Sequence, residues 1–60
     1  MILKRRIELY LRRSSTSPTR LGLQALNDRR FVFDLRKGRE VGERTAGRVH
    51  DWLDRQGAPR

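Results

Sequence analysis

The chain has no cysteine, so neither a disulfide framework nor a thiolate metal site can form. It has one histidine, His50, and a lone imidazole makes no zinc site without several carboxylates around it. No apolar run approaches the roughly 20 residues needed to cross a bilayer. Lys4, Arg5 and Arg6 interrupt the N-terminal segment, so it offers no uninterrupted core for a secretory signal. The expected location is the cytoplasm. The five glycines are scattered one at a time, so there is no glycine-rich loop to cradle a phosphate. No Ser, His and Asp set suggests a nucleophile on a rigid scaffold. A helical chain of 60 residues also leaves little room for the concave pocket that catalysis needs. The expectation is a non-enzyme with no cofactor, no metal, no small-molecule substrate and no membrane association.

What the chain has is positive charge. Fifteen Lys/Arg stand against seven acids, a formal net charge of +8. The excess is uneven. Residues 1–39 hold eleven Lys/Arg and only Glu8, Asp28 and Asp34 as acids, a net +8. Residues 40–60 hold four of each sign. All the excess charge therefore lies in the first two thirds. A polyanion explains such a block, and nucleic acid is the usual one. The alternative is a basic surface that only resists aggregation.

The hydrophobic spacing reads as four helices, near 2–13, 18–26, 29–37 and 43–56. In the first, Leu3, Ile7, Tyr10 and Leu11 share a face. Ile2 and Leu9 form a second stripe, which either packs internally or meets another subunit. Arg12 and Arg13 suit the C-terminal end of the helix dipole. Lys4 to Arg6 read as solvated surface charge or as an approach to phosphate. In the last helix Thr45, Val49, Trp52 and Leu53 share a face, with Trp52 as a core anchor and His50 a structural neighbour. Gly47, mid-helix at a cost near 1 kcal/mol relative to Ala, suggests close approach by another helix. Gly57 and Pro59 stop this helix, and residues 57–60 should fray.

The middle of the chain, Ser17 to Gly38, organises the rest. Ser17 can cap a helix that starts at Pro18. Leu21 and Ala25 face one way, and Gly22 beside them would admit a neighbouring helix. Asn27 tolerates the left-handed exit. Asp28 can cap the next helix, whose Val32 and Leu35 form an apolar back, with Phe31 joining the core. Gly38 closes it. Arg29, Arg30, Phe33, Asp34, Arg36 and Lys37 occupy the other side. Two short helices held by a tight turn, the second with a basic front, have the geometry of a helix-turn-helix reader.

Leu21-Gly22, Val32, Leu35 and Gly38 stand at the spacing of the lambda-repressor-like (Xre/Cro-type) helix-turn-helix regulators, and the stretch resembles that family. Gly22 takes the place of the family's usual Ala. The family's common turn glycine falls where this chain has Leu26-Asn27. The resemblance covers about a third of the chain.

The expectation is an all-α domain spanning 1–60, a small bundle of four helices containing a helix-turn-helix at 17–38. It would bind double-stranded DNA sequence-specifically, as a homodimeric bacterial or phage transcription regulator at the nucleoid. Arg29, Arg30, Phe33 and Asp34 are the candidate base readers, and Ser17, Thr19, Arg20, Lys37 and Arg39 the candidate backbone contacts. For each arginine, phosphate binding is the competing role. Phe33 either touches a thymine methyl or covers the core edge. Asp34 either pairs with Arg30 within the helix, salt-bridges elsewhere, or accepts from cytosine. The rival functions are a basic protein-interaction module, such as an antitoxin or adaptor, and a non-specific nucleic-acid binder.

Overall fold

The computed structural model describes residues 2–58, and among these every regular element is helical. The helices are α1 (Leu3–Ser14), α2 (Pro18–Leu26), α3 (Phe31–Arg36) and α4 (Glu43–Arg55). Helix α2 packs against both α3 and α4, and α1 packs against α4.

Each helix ends for a local reason. The Ser17 hydroxyl accepts from the Arg20 N–H at 3.1 Å, with Pro18 in the first turn of α2. Asn27 leaves α2 at φ 57° and its N–H donates to the Leu23 carbonyl at 2.9 Å. After α3, Gly38 at φ 103° turns the chain so that the Arg39 N–H reaches back to the Asp34 carbonyl at 3.0 Å. A side chain at that φ would be strained, which is why glycine closes the helix. The Ala58 N–H makes the equivalent bond to the Leu53 carbonyl, also 3.0 Å. Ala58 also packs against the core, which ties the chain to the bundle beyond the end of α4. Pro59 and Arg60, expected to fray, lie outside the described residues.

The core is Ile7 and Leu11 of α1, Leu21 of α2, Phe31, Val32 and Leu35 of α3, and Val49 and Leu53 of α4. Burying side chains of this size stabilises by roughly 1.5–3 kcal/mol each. Tyr10 and Trp52 pack at its edge as an edge-to-face pair, ring centroids 5.4 Å apart. Val41 folds back on the same core.

Four expectations need correction. Helix α3 is shorter than 29–37, because Asp28 closes a turn ahead of it. Its carbonyl accepts from the Phe31 N–H at 3.2 Å and its side chain from the Arg30 N–H at 3.0 Å. Arg30, not Asp28, is therefore the N-cap. Gly22 is approached by that turn rather than by a helix: a Cβ there would lie 2.1 Å from the Asp28 carbonyl oxygen. Gly47 has nothing within 4 Å of its would-be Cβ, so no helix approaches it.

Arg6, expected on the surface, is 2% exposed. Its Nη1 donates to His50 Nδ1 (2.8 Å) and the His50 carbonyl (3.2 Å). Its Nη2 donates to Asp54 Oδ1 (2.5 Å) and the Ala58 carbonyl (3.4 Å). A buried guanidinium persists only when its donors are satisfied, and here α1 is stitched to the C-terminal half of α4.

Candidate nucleic-acid interface

Helix α3 divides cleanly. Phe31, Val32 and Leu35 are buried. Phe33 is 42% exposed and stands outside the core cluster. Arg29, Arg30, Arg36 and Lys37 are exposed, and Asp34 is half-buried. Arg29 and Arg30 leave from the turn before α3 rather than from its first helical turn.

The exposed cations fall into two groups. Arg36 is held: its Nε and Nη2 donate to the two oxygens of Glu8 on α1, each at 2.7 Å. These bonds keep the Glu8 carboxyl below its ordinary range, burial opposing them, with Lys4 and Arg12 adding to the lowering. Arg39 is also held. Its Nη1 donates to Asp28 Oδ2 (3.3 Å) and Asp34 Oδ2 (3.4 Å), and its guanidinium lies 5.7 Å from the centroid of the Phe31 ring. Asp34 thus pairs with Arg39 and not with Arg30. Arg39 brackets the turn and α3 together and remains exposed. Arg29, Arg30 and Lys37 carry no ion pair among the described residues.

At the start of α2, the Ser17 hydroxyl serves as the cap, Thr19 is half-buried, and Arg20 is exposed without an ion pair among the described residues. Pro18 lines a shallow groove with Glu8, Leu11, Arg12 and Arg36. The groove brings the start of α2 beside the end of α3. It adds Arg12, which periodicity had marked only as a dipole partner. The Glu8–Arg36 clamp had no signal in the sequence, because its partners are 28 residues apart.

Among the described residues no three His, Cys, Asp or Glu side chains converge as a metal site. No described helix is long and apolar enough to cross a membrane.

Among the described residues the fold is all-helical, with four helices, and Arg20, Arg29, Arg30 and Lys37 of its α2–α3 half are exposed cations. No protein-family model, curated protein or solved structure matches the chain.

Proposed function

We propose that the chain binds double-stranded DNA through a helix-turn-helix formed by α2 and α3, as a small lambda-repressor-like transcription regulator. The observation that carries this reading is charge bookkeeping on the folded chain. Each acid among residues 1–39 (Glu8, Asp28 and Asp34) is paired with Arg36 or Arg39. That leaves Arg20, Arg29, Arg30 and Lys37 of the α2–α3 unit unpaired among the described residues. A surface whose acids are neutralised internally and whose cations are left outward suits a polyanion.

Two features of the turn support the family reading. Asn27 at φ 57° supplies the left-handed residue for which the family commonly uses glycine. The close approach at Gly22 holds the second helix against the first. In this reading α3 enters the major groove, and Arg29 and Arg30 reach base edges or flanking phosphates. Asp34, held by Arg39, orients the turn. Lys37, Arg20 and Arg12 take the backbone. Two copies are needed for a site of useful length.

Selection from a pool of random duplex DNA tests this. The expected product is an inverted repeat with half-sites about one helical turn apart. Arg30→Ala should relax preference at one base position, costing roughly 1–3 kcal/mol of discrimination there. A uniform loss across all sequences would demote Arg30 to a phosphate contact. Retention of no preferred duplex as salt rises would favour non-specific binding, and failure to bind any duplex would favour a protein-interaction module.

A further inference from the structure

Phe33 is an exposed aromatic that carries a guanidinium over its ring, and that combination needs a reason. It lies outside the core, yet the Arg36 guanidinium stands 5.9 Å from its ring centroid. Arg36 is in turn held by both oxygens of Glu8, at 2.7 Å each. The chain Glu8–Arg36–Phe33 therefore runs from α1 through two charge-assisted bonds to one face of an outward ring. Arg30 and Lys37, one turn before and after Phe33, are exposed cations with no ion pair among the described residues. A second copy docking symmetrically on this patch would set like charges against each other. An anionic partner that presents an apolar group between its phosphates fits better, and the thymine methyl in the major groove is such a group.

Resting on the DNA-binding reading above, we infer that Phe33 selects thymine by contact with its 5-methyl group, and that Glu8 is a positioning residue that sets the ring through Arg36. The methyl is the only atom group that distinguishes thymine from uracil, so the contact can be tested without disturbing any base-pairing edge. Burying one methyl is worth about a three- to fivefold change in affinity.

The experiment takes the duplex enriched from the random pool and replaces each thymine singly with deoxyuridine. One position in each half-site should then lose about three- to fivefold in affinity. With Phe33→Ala the thymine and uracil duplexes should bind equally at that position, while Phe33→Leu keeps part of the difference. Glu8→Gln, checked for unchanged helix content by circular dichroism, should shrink the thymine-over-uracil ratio while leaving overall affinity equal or higher, since a negative charge is lost. A thymine preference that survives Phe33→Ala, or none in the native chain, overturns the methyl contact and leaves DNA binding standing. A ratio unmoved by Glu8→Gln overturns the positioning role. Loss of dimer mass in Phe33→Ala by sedimentation, with thymine and uracil equivalent throughout, would assign the ring to a subunit contact. Failure to enrich any duplex would overturn this inference together with the reading it rests on.

Discussion

At the scale of single residues, two glycines make opposite predictions for the same chemical change. The would-be Cβ of Gly22 falls 2.1 Å from backbone, the Asp28 carbonyl oxygen. Backbone cannot swing aside as a flexible side chain can, so Gly22→Ala must push the turn away from α2. Overpacking of this kind costs roughly 1–3 kcal/mol. Gly47 has an ordinary negative φ and open space around it. Gly47→Ala should therefore stabilise, by up to about 1 kcal/mol. In a chain this small each kcal/mol moves the melting temperature by about 4–8 °C, so paired thermal melts read both signs. Gly22 was legible as a point of close approach, but not what approaches it. Gly47 was read as an approach point too and is not one. Arg6 was read as surface because it and its neighbours Lys4 and Arg5 look alike in sequence. What buries it is His50 and Asp54, 44 and 48 residues away, a separation that periodicity does not reach.

At the scale of elements, α3 is the instructive case. Six residues cannot hold a helix alone. Its position is set by the buried side of Phe31, Val32 and Leu35, by Arg39 bracketing Asp28 and Asp34, and by the Arg36–Glu8 clamp to α1. The apolar back was legible from spacing, as were the stops at Asn27 and Gly38. The start was not, because Asp28 uses its side chain on the turn at Arg30 rather than on a helical N-terminus. The clamp carries a pH signature. Arg36 lowers the folded pKa of Glu8 beneath its ordinary 4.5. The unfolded chain therefore takes up this proton first as pH falls. The clamp's contribution is complete above about pH 4.5 and is lost as pH drops through the lower folded value. With the two side chains 41% and 36% exposed, solvent screening keeps the clamp's contribution small. Denaturant melts of the native chain and Glu8→Gln should differ at pH 7 and converge in acid. A difference that stays constant with pH would mean that Glu8 acts through packing alone.

At the scale of the whole molecule, the question is where the net charge is directed. The composition showed that the excess sits in residues 1–39, and the fold adds that internal pairing uses up that region's acids. Helix α4 is different: its Arg44, Arg48 and Arg55 share the helix with Glu43, Asp51 and Asp54. If duplex DNA lies on the α2–α3 side, each phosphate contact contributes about −0.9 to the slope of log K against log salt. Lys37→Ala should then flatten the slope by about one. Arg48→Ala, on the electrically balanced helix, should leave it unchanged. Both residues are exposed and neither forms an ion pair among the described residues, so both variants should fold, and the comparison isolates position from charge. Equal flattening by the two would mean that total charge, not the α2–α3 face, attracts the polyanion. A flattening by Arg48→Ala alone would move the binding surface to α4, and with it the reading of every residue on α3.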